Sequence, residues 1–147
     1  IFWVDPSDKM VGKAVSVKRQ GGNPFEASVM SHNALSTVNG YANTALFTAP
    51  AANDAVAYCQ SLGEGWYLPA RDELWELFDV YNGIGHADPD FASVVPDKLT
   101  EVEKAARAAF DKMLTDLQGD VINEAAGSGN GENYWSRTEK QAGAKAS

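Results

Sequence analysis

The side chains able to do chemistry are few and scattered. The chain has two histidines, His32 and His86, and one cysteine, Cys59. Neither histidine stands in an H-x-x-x-H or H-E-x-x-H context, so zincin-type metal chemistry is disfavoured. Each is expected to be a satisfied or exposed histidine, not a general base. A lone cysteine excludes an internal disulfide framework and any multi-cysteine zinc site. The run His86-Ala87-Asp88-Pro89-Asp90 places two carboxylates beside an imidazole. Calcium takes about six to eight oxygens, and the EF-hand spacing is not here, so an Asx turn before Pro89 is the expected role. The loop Gly127-Ser128-Gly129-Asn130-Gly131 lacks the lysine of a P-loop and the last glycine of a dinucleotide fingerprint, and it precedes a strand-like run. No G-x-S-x-G elbow occurs.

Charge narrows the partners. Twelve basic and twenty acidic residues give a formal charge of −8, and phosphate binding rests on clustered Lys and Arg, so nucleic acid is not an expected partner. Glu64, Asp72, Glu73, Glu76, Asp79, Asp88 and Asp90 face one base, Arg71, in the same stretch. A solvated helix face plus a loop accounts for that run. A cation or a basic partner is the sharper alternative.

These groups must be positioned by a chain of 147 residues, 44% apolar and 22% charged. That describes one globular domain able to bury a core without a staple. No run reaches the length of a membrane span. The start at Ile1 suggests a processed or truncated chain, so a removed leader stays open.

Ile1-Phe2-Trp3-Val4-Asp5 and the alternating run Lys13-Ala14-Val15-Ser16-Val17-Lys18 read as two strands able to pair as a hairpin, with Pro6, Ser7, Asp8, Lys9 and Gly12 supplying the turn chemistry between them. Residues 19–48 show weak periodicity and read as loop with short pieces of structure. A first helix is expected over 50–62, with Ala55, Val56, Cys59 and Leu62 on its apolar stripe and Gly63 past its end. Cys59 on that stripe reads as a small core residue. A second helix is expected over 71–82, with Leu74, Leu77, Phe78 and Tyr81 buried and Asp72 and Glu73 suiting its positive end. A third has Thr100 as N-cap and Glu103 completing a capping box, with Gly119 past its end. Its stripe reads Val102, Ala106, Ala109, Phe110, Met113 and Leu117. Tyr134 to Thr138 reads as a last strand before a polar tail. Of the four tryptophans, Trp3 and Trp66 are expected in the core. Trp75 either widens the second helix's buried face or is exposed, and Trp135 points inward or outward.

Four segments, in order, resemble a known family. Gly65-Trp66-Tyr67-Leu68-Pro69-Ala70-Arg71-Asp72-Glu73-Leu74 resembles the G-W-R-L-P-S/T-R-x-E-L segment of a large bacterial domain family. That family includes the C-terminal domain of collagen-like adhesins and the major paralogous domains of gut and rumen bacteria. Glu132-Asn133-Tyr134-Trp135-Ser136-Arg137-Thr138-Glu139 resembles its Y-W-S-S-T-E segment. Ile1-Phe2-Trp3-Val4-Asp5 resembles its I-F-Y-V-D opening, and Ala55-x-x-Tyr58-Cys59 its A-x-x-Y-C helix.

The resemblance implies a C-type-lectin-like α+β fold, related to the formylglycine-generating enzymes and to the variable proteins of diversity-generating retroelements. A small twisted antiparallel sheet would be flanked by two helices. Residues 1–147 would form a single domain with a helical insertion at about 97–119. The closing W-x-V-x-F and R-x-V-R strands would be missing from the chain. Ala70 stands where the family has Ser or Thr, which removes an N-cap oxygen and is expected to cost roughly 1 kcal/mol.

The function so implied is a non-catalytic binding module of a bacterial surface or periplasmic protein. Ligand contacts would lie on Asn130, Glu132, Asn133, Tyr134, Trp135, Arg137 and Glu139. The ligand would be a glycan or a protein. The calcium-dependent sugar signatures E-P-N, Q-P-D and W-N-D are absent, so no cofactor or metal is expected. The alternative is a structural or assembly module of a larger surface protein. An enzyme is disfavoured, because the related formylglycine chemistry uses paired cysteines and this chain has one.

Overall fold

In the computed structural model the described residues are 1–18, 33–47, 55–83 and 99–122. They hold two minimal strands, β1 (Trp3–Val4) and β2 (Gly12–Lys13). They also hold four helices: α1 (Gly40–Ala45), α2 (Ala55–Ser61), α3 (Arg71–Asn82) and α4 (Glu101–Asp116). The chain divides into two compact units. One comprises Ile1–Arg19 with Glu76–Glu132, the other Gln20–Trp75 with Asn133–Ser147.

The expected α+β fold is overturned. Among the described residues the only strand pairing is β1 against β2, antiparallel, with Trp3 opposite Lys13 and Val4 opposite Gly12. Among the described residues no twisted sheet with flanking helices forms, and their structure is mostly helical. One local reason is visible. The run expected as a strand from Lys13 to Lys18 leaves the ladder after Lys13. Val17's carbonyl instead accepts from the Asp120 amide beyond α4, at 2.7 Å. Leu68, in the motif at 65–74, is buried, and its backbone is served by a side chain. The Leu68 N–H donates to Thr44 Oγ1 at 3.2 Å, and that hydroxyl donates to the Leu68 carbonyl at 3.4 Å. A threonine on a helix thus pairs both backbone groups of Leu68.

In the hairpin unit, the turn is fixed by Asp5. Its Oδ1 accepts from the Ser7 amide, the Ser7 hydroxyl and the Asp8 amide. These bonds hold the carboxyl below the usual carboxylate range. Lys13 of β2 pairs with Glu76 of α3. The second half of α3 packs on α4 around Tyr81, which is 2% exposed. Its ring meets Phe110 edge-on with centroids 5.6 Å apart, and the Arg107 guanidinium lies over it. Its hydroxyl donates to Asp111 Oδ2 at 2.9 Å. Asp111 Oδ1 accepts from the Ile122 amide, and Arg107 Nε donates to Asn82 Oδ1 at 2.7 Å. One polar cluster therefore ties two helices and the segment after α4.

The capping box of α4 forms as the sequence requires. The Glu103 amide donates to Thr100 Oγ1, and the Thr100 amide to Glu103 Oε2. Its buried face differs from the expected stripe. Phe110 and Leu114 are buried, whereas Val102, Met113 and Leu117 are 70%, 44% and 60% exposed. Val102 and Met113 lie about a quarter-turn round the helix from the middle of the Phe110 and Leu114 face, at 100° per residue, and Leu117 is the C-cap, past the last helical residue. Apolarity alone did not separate the two faces. The helix closes in a Schellman motif: the Gly119 amide donates to the Leu114 carbonyl and the Gln118 amide to the Thr115 carbonyl. The left-handed residue is Gln118, with φ 57°, not the glycine. Gly119 is needed for another reason, since a Cβ there would stand 2.4 Å from the Val17 carbonyl oxygen.

In the other unit, α1 was not legible as a helix. Asn39 caps it, its Oδ1 accepting from the Ala42 amide at 2.8 Å. Its inner face is Gly40, Asn43 and Thr44, with Phe47 just beyond, at the i, i+3, i+4, i+7 spacing. Only Phe47 is a large apolar residue, so hydrophobic periodicity does not show it. Phe47, Val56 of α2 and Leu68 form the core here, with Ala55 and Cys59 packed against them. The expected first helix is described from Ala55; its start at 50–54 lies outside the described residues. α3 has the expected bounds. Its expected buried residues Leu74, Leu77 and Phe78 are half-buried and Tyr81 is buried; Trp66 and Trp75 are half-buried.

Candidate functional site

A second polar centre, built from distant parts of the chain, stands at the start of α3. A helix leaves its first amides without partners, and Ala70, as N-cap, has no oxygen to offer. Two substitutes take its place. The Asp72 amide donates to the Thr37 carbonyl at 2.8 Å. Glu73 turns back, and its Oε2 accepts from the Ala70 amide at 2.9 Å. This is the return half of a capping box, with a remote carbonyl replacing the forward half.

The same Oε2 accepts from the Gly40 amide of α1 at 2.9 Å, and Oε1 accepts from the Tyr67 hydroxyl at 3.0 Å. Glu73 is 7% exposed. A buried carboxylate needs such partners to hold its charge. Gly40 permits the approach, because a Cβ there would fall 2.5 Å from both the Ala70 nitrogen and the Leu68 oxygen. Around this centre, the Asn43 side-chain amide pairs with Ser36 in both directions. Tyr41, largely exposed, meets Tyr67 edge-on at 6.0 Å. On α3, the Arg71 guanidinium covers the Trp75 ring at 5.1 Å from its centroid and bonds Asp72.

Sequence reasoning placed Glu73 with Asp72 as a dipole-facing carboxylate and missed its central position. The available signal was a glutamate three residues after the N-cap, the spacing of a capping box without its hydroxyl. Glu73 works chemically as a positioning group. Its oxygens hold two amides and a phenol, and so fix α1, α3 and the segment between α2 and α3.

Cys59 also has a structural place. Burial pushes its thiol up to about 11, which keeps it protonated and a poor nucleophile near neutral pH. Asn130, Glu132, Asn133, Tyr134, Trp135, Arg137 and Glu139 lie outside the described residues, as do His32, His86, Asp88, Asp90 and the glycine loop at 127–131. Among the described residues, no group of three or more His, Cys, Asp or Glu is placed to hold a metal ion. No helix among them is long and apolar enough to cross a membrane. No protein-family model, curated protein or solved structure matches the chain.

Proposed function

We propose that the chain is a non-catalytic binding module of a bacterial surface or periplasmic protein. Its ligand-facing segment would be 130–139, with Tyr134, Trp135 and Arg137 as principal contacts. Aromatic and arginine side chains are the usual anchors of recognition. The reading rests on the ordered resemblance of four motifs. One structural observation supports it: in the motif at 65–74, the buried carboxylate of Glu73 is spent on the scaffold. Both its oxygens hold scaffold groups, Oε2 the amides of Gly40 and Ala70 and Oε1 the Tyr67 hydroxyl. The ligand is a glycan or a protein, recognised without calcium.

A glycan array probed with the purified chain, with and without EDTA, tests this. Binding that survives EDTA and is lost in Trp135→Ala supports the reading. Binding abolished by EDTA, or unchanged in Trp135→Ala and Arg137→Ala, overturns it. Silence on the array assigns the ligand to protein. Protease shaving of intact cells tests the location, and a chain protected until lysis refutes it.

A second reading, a structural or assembly module, is favoured by the apolar outer side of α4, where Val102, Met113 and Leu117 are exposed. Light scattering after size exclusion decides it. A clean monomer at high concentration counts against assembly.

A further inference from the structure

We draw no further inference here: the strongest candidate, the apolar outer face of α4 carried by Val102, Met113 and Leu117, is an exposed helix face, and nothing in the structure shows what covers it.

Discussion

Replacing Gly40 with alanine separates two opposite expectations. Inside a helix, alanine is ordinarily better than glycine by about 1 kcal/mol. Gly40 is the first residue of α1, so helix propensity alone predicts a neutral or stabilising change. The contacts predict the reverse. The new Cβ would stand 2.5 Å from the Ala70 nitrogen, 2.5 Å from the Leu68 oxygen and 2.7 Å from Glu73 Oε2. Two of these are backbone atoms of another segment, so no rotamer change relieves them. Restoring ordinary contact needs a shift of about 1 Å, near the ~3.5 Å optimum for heavy atoms. The bonds from Gly40 and Ala70 to Glu73, both 2.9 Å, would then pass the hydrogen-bond limit. Overpacking costs about 1–3 kcal/mol, and weakening bonds to a buried charge adds about 1–2 kcal/mol. The expected net loss, after the ~1 kcal/mol that alanine gains, is about 1–4 kcal/mol. Urea unfolding of the full chain, followed by tryptophan fluorescence, measures it. Ala42→Gly, at an exposed position of the same helix, is the control and should cost at most about 1 kcal/mol. A Gly40→Ala chain as stable as the parent, or more so, would refute the close-approach argument.

Four further outcomes are expected. Glu73→Gln keeps one oxygen for the two amides and should cost about 1 kcal/mol, while Glu73→Ala strands both amides and should cost about 3 kcal/mol or more by the same unfolding assay; equal losses would show that the carboxylate is not the organising group. Gln118→Gly relieves a left-handed residue at the end of α4 and should raise stability by about 1 kcal/mol, read as a higher urea midpoint, and a lower midpoint would contradict the Schellman assignment. The Cys59 thiol, raised from 9.0 to about 11, should react with a disulfide reagent at pH 8 about 100-fold more slowly in the folded chain than in urea, from the thiolate fractions alone. Because the folded state holds its proton more tightly, the Cys59 contribution is fully present below pH 9 and falls as pH rises towards 11. A Cys59→Ala chain should lack that fall, and an identical alkaline profile would remove the cause.

What the sequence shows depends on how local the cause is. The capping box at Thr100 and Glu103 lies within four residues, and α4 starts where that box predicts. The bounds of α3 were likewise legible, because Pro69, the acids of its first turn and Asn82-Gly83 bracket an apolar period. α1 was hidden because Gly40, Asn43 and Thr44 bury themselves through close approach and hydrogen bonds, which hydrophobic patterning does not register. The α4 face was misjudged because Val102, Met113 and Leu117 are as apolar as the pair that packs. The expected strand at 13–18 ends early because the partner of Val17 lies beyond a helix far away in sequence. The candidate ligand segment at 130–139 rests on motif resemblance alone.

The two long helices differ in how their starts are secured, and that difference bears on how the sequence can drift. α4 starts on near neighbours, so Thr100 and Glu103 can be exchanged pairwise without consulting the rest of the chain, whereas at its other end Gly119 is held to glycine by the Val17 carbonyl. The start of α3 depends on a shared centre. A larger residue at 40, a bulkier one at 70 or a shorter acid at 73 each breaks the same joint, and none is repaired by a change beside it. Position 37 is exempt, since it lends only its carbonyl. Substitutions at 40, 70 and 73 are therefore accepted together or not at all, and among related chains these three columns should covary while 37 wanders.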